Sequence, residues 1–388
     1  MTKIENYKAK FPLLHAIRGV AAMYVVIYHA KFILWSGGTE YLAKYPRSQW
    51  LVVDYLKFGI DLFTTAGSEM VMIFFVLSGF FIAMSLQNAK GSFVQRLQQF
   101  YVVRIIRIYT PYIASIIIGV AVLLWIRKFA PGLYHADTHR EFNNRLITAN
   151  QNLDFSNFLK ALLFLKNGEY IGFNFAYWSL LYEGIFYLIV PFVFLRKQVY
   201  LFVSLLLLVS GAFIVNRYHP GHIFMRYLFE YNFYFALGQF IYIYKEQILS
   251  KFDGRNYKPI LLTVTFGLFI LFDVLALAKQ HFWAGIAAGI SAFCLIVVFL
   301  KYEFKKNWFI KGIIKLGEIS YSLYLVHLPV LIFMYVLIFK YSNELVFYNR
   351  IWYVTGILVS VIAGIILYRL VEKPSMNIIN QVKKNFKK

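Results

Sequence analysis

Two ionisable residues stand inside the first apolar run of the chain, LLHAIRGVAAMYVVIYHAKFILW: Arg18 and His29. Eleven residues is close to three helical turns, so both project from one face, about 16 Å apart along the axis. Histidine is the natural proton acceptor near neutral pH. Arginine offers a fixed fork of donors for phosphate or for a developing oxyanion. A second run, FAYWSLLYEGIFYLIVP, carries Glu183 with Ser179 one turn before it and Trp178 and Tyr182 alongside. A third, ISYSLYLVHLPV, sets Ser320, Tyr324 and His327 on one helical face. A charged side chain inside a span costs about 2.5–3.5 kcal/mol, so each of these ionisable groups is a functional candidate. His29 is the candidate base and Glu183 the candidate carboxylate that holds its tautomer, as in a triad.

Two further groups stand apart from these. FFVLSGFFIA contains Ser78 and Gly79, small residues that allow close approach by a neighbouring backbone or a ligand. Downstream, RIIRIYTPY puts Arg104 and Arg107 one turn apart, a two-guanidinium fork suited to phosphate, with Arg96 earlier in the same segment. Arg226 and Glu230 are four apart and can pair with each other, whereas Asp273 is alone in a leucine-rich run and receives no role.

The elements that hold these groups follow from composition. Of 388 residues, 60% are hydrophobic and only 15% charged, and the mean hydropathy is +0.61. Soluble domains are about 25% charged. This is the composition of an all-α, multi-pass membrane protein, with the bilayer as its first partner. A charge of +22 raises the question of nucleic acid, but the basic residues lie in gaps between apolar runs and form no aromatic-interleaved face, so no nucleic-acid partner is expected. The single cysteine, Cys294, forms no internal bridge.

Runs long enough to cross a bilayer occur near 13–35, 68–87, 107–126, 175–195, 199–216, 223–244, 259–278, 282–300, 318–339 and 351–371, about ten spans in all. The stretch 155–166 is too short to span and is expected to be interfacial or re-entrant. With the N-terminus inside, the cytoplasmic segments hold 24 Lys and Arg and the external ones 14. Both termini are therefore expected in the cytoplasm, in the cell membrane. No cleavable signal peptide and no internal repeat is expected. The division is one ten-helix domain, 1–375, and a basic tail, 376–388.

The motifs occur in a specific order: R-x10-H, FFVLSGFFIA, R-x-x-R-I-x-x-P, WSLLYEGIFY, SYSLYLVHLP and a closing V-E-K-P. Together they resemble the acyltransferase-3 family of multipass membrane O-acyltransferases, from about residue 11 to residue 375. The resemblance implies transfer of an acyl group, usually acetyl, from cytoplasmic acyl-CoA to a hydroxyl of a carbohydrate, a glycan or glycolipid of the cell envelope. Acetyl-CoA enters as co-substrate; no tightly bound cofactor and no metal is implied. The family's essential Arg and His map onto Arg18 and His29, and its Ser-Gly element onto Ser78 and Gly79. The paired arginines map onto Arg104 and Arg107, and the Trp-Ser-Leu…Glu element onto Trp178, Ser179, Leu180 and Glu183. Tyr182, Tyr324 and His327 complete the expected pocket.

The chain departs from the pattern twice. His15 stands where many relatives have Asp, and Met70 to Phe75 (MVMIFF) replaces their G-V-D-L-F-F. No soluble esterase-like domain follows the last span, so a stand-alone form is expected. Arg18 has two candidate roles, binding the donor's pyrophosphate–pantetheine junction or stabilising the oxyanion. Direct transfer and a covalent acyl-enzyme both suit His29. A proton-coupled secondary transporter is the competing class, since buried Arg, His and Glu in ten spans suit one too.

Overall fold

The computed structural model describes residues 11–136, 140–151, 153–214, 222–305 and 307–386. Several basic groups counted above, Lys3, Lys8, Lys10, Arg217, Lys306, Lys387 and Lys388, lie outside the described residues. The long helices are α1 (Phe11–Leu34), α2 (Gly67–Gln87), α3 (Phe93–Phe129), α4 (Trp178–Val193), α5 (Lys197–Ile214), α6 (Asn232–Ile243), α7 (Lys258–Leu277), α8 (His281–Lys301), α9 (Trp308–Glu318), α10 (Ser320–Ser342), α11 (Ile351–Leu367) and α12 (Lys373–Asn385). No strand occurs among the described residues. The protein is an all-α multipass membrane protein.

Among the described residues, eight helical stretches are long and apolar enough to cross a membrane. One of them, Phe175–Ile214, holds two of the expected spans, divided by the turn Phe194–Arg196 between α4 and α5. The expected span at 223–244 is interrupted: Ile223–Arg226 and α6 flank a π-type turn, Tyr227–Tyr231. The expected start at 107 is fourteen residues late, because α3 begins at Phe93 and runs 37 residues. Arg96, Arg104 and Arg107 are therefore on a helix and not in a loop. The short stretch near 155–166 holds only a seven-residue helix, Phe155–Ala161.

The chain divides into two compact units, and each is taken by itself. The first comprises residues up to Val25, Leu62–Arg96 and Tyr182–Glu318. Within it α2 and α6 cross at backbone distance. The Phe235 carbonyl occupies the place of a Cβ on Gly79, and the Val76 carbonyl that of one on Gly238. Without a hydrophobic force between helices in lipid, such close contacts between small residues drive association. Phe235 also stacks between Phe75 and Phe186, with ring centroids at 4.5 and 4.2 Å. Asp273, unexplained by sequence, ties down the start of α2: its Oδ1 accepts from the Thr65 and Ala66 amides at 3.0 and 3.2 Å and from the Tyr24 hydroxyl of α1. The first amides of a helix have no intrahelical partner, and a buried carboxylate supplies one.

The second unit comprises Val26–Asp61, Leu97–Leu181 and Ile319 onward. Pro329 inside α10 removes the amide that would bond the Leu325 carbonyl. Ser115 Oγ and Asn174 Nδ2 donate to that carbonyl instead, both at 2.7 Å. The start of α10 is held by Glu372 of the V-E-K-P motif, whose Oε2 accepts from the Ser322 amide at 3.1 Å and from the Ser322 hydroxyl. Thus the closing motif anchors the helix that carries Tyr324 and His327. A loop with left-handed Gly172 and Phe173 (φ 65° and 53°) then delivers Asn174 and Phe175 to the same unit. Gly172 is required there, since α3 approaches at Gly119 to within 2.9 Å of where its Cβ would stand.

Candidate active site

His29 lies near the C-terminal end of α1 and hydrogen-bonds the second span histidine. Its Nδ1 is 2.9 Å from His327 Nε2, and the two rings stack with centroids 5.0 Å apart. His327 Nδ1 in turn faces the carbonyls of Tyr324 and Leu323 at 2.8 and 3.3 Å. A carbonyl only accepts, so His327 carries its proton on Nδ1 and, when neutral, a lone pair on Nε2. His29 must then donate from Nδ1, and its own lone pair is on Nε2. The chain carbonyl–His327–His29 fixes the tautomer a proton acceptor needs. Among the described residues no carboxylate hydrogen-bonds to His29. The Phe175 ring meets the His29 ring edge-on at 5.3 Å.

Ser179 and Tyr324, matched only by their places in separate motifs, touch. Their hydroxyls are 2.8 Å apart, and Tyr324 donates to the Ala176 carbonyl at 2.7 Å. Tyr324 therefore pins the turn that leads into Trp178 and α4, while His327, one turn further along α10, pins His29.

In the first unit, Glu183 accepts from two hydroxyls. Its Oε1 accepts from Ser78 Oγ at 3.1 Å and from the Tyr187 hydroxyl, one turn along α4. Ser78 also lies 3.2 Å from that hydroxyl. The Ser of the Ser-Gly element thus meets the Glu of the Trp-Ser-Leu…Glu element, and Gly79 makes the helix crossing described above. Tyr182 packs against Tyr231 of the π-type turn, centroids 4.4 Å apart. Arg226 donates to Glu230 at 3.3 Å and to the Tyr231 hydroxyl, the expected internal pair.

Arg18 is half-buried on α1, next to Gly19, where the Gly317 amide of α9 comes within 2.6 Å of a Cβ position. His15, the departure from the family pattern, stacks on Phe81 with centroids 5.3 Å apart. Arg104 and Arg107 are half-buried on α3 one turn apart, and the Arg104 guanidinium lies 5.6 Å from the Phe100 ring.

Sequence reasoning missed three things here. The His29–His327 bond had one signal, two histidines placed inside spans. Tyr187 had its spacing from Glu183. Phe175 had none, because only the left-handed loop before it turns it onto His29.

The family model described as an acyltransferase domain matches residues 12–370, nearly the whole chain. No curated protein and no solved structure matches it.

Proposed function

The chain belongs to the acyltransferase-3 family, and on that premise we propose that this membrane acyltransferase moves acetyl from cytoplasmic acetyl-CoA to a hydroxyl of a carbohydrate of the cell envelope. The observation that carries the reading is the His29 tautomer. With Nδ1 donating to His327, Nε2 takes the proton of the sugar hydroxyl as its oxygen attacks the thioester carbonyl. The tetrahedral oxyanion collapses, the C–S bond breaks, and the departing CoA thiolate receives the proton from His29. His29 ends neutral, ready for another turnover.

Arg18, eleven residues earlier on the same uninterrupted helix, serves the donor or the oxyanion. Arg104 and Arg107, with Arg96 two turns earlier, grip the CoA phosphates from the cytoplasmic side, where Lys and Arg are concentrated. Ser78 and Gly79 belong to the donor-binding part of the protein. Glu183, held by Ser78 and Tyr187, positions that part. The Nε2 lone pair also supports a covalent route in which acetyl rests first on His29, and ping-pong kinetics separates the two. The family match favours transfer over a proton-coupled carrier.

The test is radiolabelled acetyl-CoA given to purified protein together with unacetylated envelope glycan. Wild type should label the glycan, and His29→Ala, inserted and folded, should lose at least about 10²-fold of the rate. Near-wild-type transfer by His29→Ala would remove His29 from the chemistry.

A further inference from the structure

Four side chains have no part in the mechanism above: Phe175, which meets the His29 ring, Phe32 and Arg145, which meet Phe175, and Glu169, which pairs with Arg145. Phe175 touches the His29 ring, and Phe32, one turn beyond His29 on α1, meets Phe175 edge-on with centroids 6.3 Å apart. Phe32 is 45% exposed, large for an apolar ring beside a catalytic group. The Arg145 guanidinium lies 5.9 Å from the Phe175 centroid. It grips Glu169 with two parallel bonds, Nε to Oε1 at 2.6 Å and Nη2 to Oε2 at 2.9 Å. Arg145 keeps 37% of its side chain exposed while Glu169 keeps 11%. The Phe175 ring thus meets both the His29 ring and the Arg145 guanidinium, and the arginine of the ion pair is partly exposed.

The chemistry of this shelf is specific. An ion pair this well aligned carries no net charge, yet its outer edge offers N–H donors and carboxylate lone pairs side by side. The rings beside it offer apolar faces. A sugar ring has the matching set, one face of C–H groups and a rim of hydroxyls that each donate and accept. An anionic acceptor would meet the Glu169 carboxylate, and a purely apolar one would leave the ion pair unused.

We propose that Phe32, Phe175 and the Arg145–Glu169 pair form the subsite that binds an uncharged sugar residue of the acceptor and presents one of its hydroxyls to His29. The proposal rests on the carbohydrate-acetyltransferase reading and adds to it the place and charge class of the acceptor. The rings pack against one face of the sugar, and the ion pair takes two of its hydroxyls. Which hydroxyl reaches Nε2 is then set by the distance between ring shelf and ion pair.

The test uses the purified full-length protein, radiolabelled acetyl-CoA and unacetylated envelope glycan, with wild type, Glu169→Gln and Phe32→Ala run in parallel. Phe32→Ala alters an exposed ring, so it keeps the test sound should Glu169→Gln lower the melting temperature. Glu169→Gln should raise the glycan KM about tenfold or more, the scale of losing a hydrogen bond to a charged group, and Phe32→Ala, which removes an apolar face, should raise it as well. The KM for acetyl-CoA and the slow hydrolysis of acetyl-CoA without glycan should stay at wild-type values. Phe32→Ala should also spread acetyl over more than one hydroxyl, read by mass spectrometry of the product. If wild type labels glycan but both variants keep its glycan KM, the subsite is wrong and the enzyme reading stands. If wild type hydrolyses acetyl-CoA yet labels no glycan, the carbohydrate reading falls and the subsite with it.

Discussion

The Nδ1 of His29 and the Nε2 of His327 lie 2.9 Å apart, on helices that begin more than three hundred residues from each other in sequence. In a triad the orienting group is a carboxylate, which both fixes the tautomer and offsets the charge of the imidazolium. Here the orienting group is a neutral imidazole whose other nitrogen is polarised by two backbone carbonyls. It fixes the tautomer fully and offsets charge only in part.

The first prediction follows from that difference. His327→Ala should lower kcat by about 10- to 10²-fold, a smaller loss than at His29, because the base survives but its tautomer is no longer set. His327→Gln should recover part of it, since a carboxamide oxygen accepts from Nδ1. The KM for acetyl-CoA should not move. Steady-state kinetics on the three proteins checks this, and an unchanged kcat in His327→Ala would make the histidine contact incidental.

How much of this was legible beforehand depends on the range of each interaction. The apolar runs are local, and nine of the ten expected spans fall on the eight long apolar helical stretches among the described residues, the one at 223–244 being interrupted. The start of α3 was misplaced because Arg96, Gln98, Gln99, Arg104 and Arg107 break the hydropathy, while backbone hydrogen bonding continues regardless of side-chain polarity. Motif order pointed to Arg18, His29, Ser78 and Glu183, but pairing was beyond it. Ser78 meets Glu183 across 105 residues, and Asp273 reaches the Thr65 amide across 208. Nothing in a leucine-rich run marks Asp273 as a cap for another helix. The V-E-K-P motif marks the family in sequence, and its use, Glu372 holding Ser322, appears only when α11 is laid against α10.

Gly79 makes the second prediction. A Cβ there has to displace the Phe235 carbonyl, so Gly79→Ala should force α2 and α6 apart and cost about 1–3 kcal/mol, the usual range for overpacking. A lowered melting temperature in detergent, with Gly238→Ala behaving alike from the opposite helix, is the expected result. Unchanged melting temperatures in both variants would show that the crossing gives way without cost.

Arg104 and Arg107 make the third. Charge removal at either, as Gln, should raise the KM for acetyl-CoA more than it lowers kcat, because phosphate binding is shared by ground and transition states. Lys should rescue only in part, a point charge being unable to reproduce bidentate geometry. Both residues sit one turn apart on one helix, so the double variant should depart from the sum of the singles in free energy if they hold one phosphate. Unchanged donor KM in both single variants would return them to ordinary membrane anchors.

The fourth prediction concerns sidedness, on which the transfer direction depends. Positive charge next to spans sets orientation, and the Lys and Arg bias predicts both termini inside. Each unit supplies its own test, in a background with the buried Cys294 replaced. In the second unit, Asn144 is exposed while its neighbour Asn143 is wholly buried against Tyr335, so a cysteine probe belongs at 144. Its counterpart is Lys384, exposed near the end of α12. In the first unit the pair is Lys279, exposed between α7 and α8, and Lys311, exposed on α9. Membrane-impermeant reagent added to intact cells should label cysteines at 144 and 279, and those at 311 and 384 should label only after the membrane is opened. This pattern puts the loop bearing Arg145 and Glu169 outside, where envelope glycans are assembled, and leaves CoA to enter from the other face. Labelling of 144 and 384 from one side would reverse α11 and, with it, the assignment of donor to the cytoplasm and acceptor to the exterior.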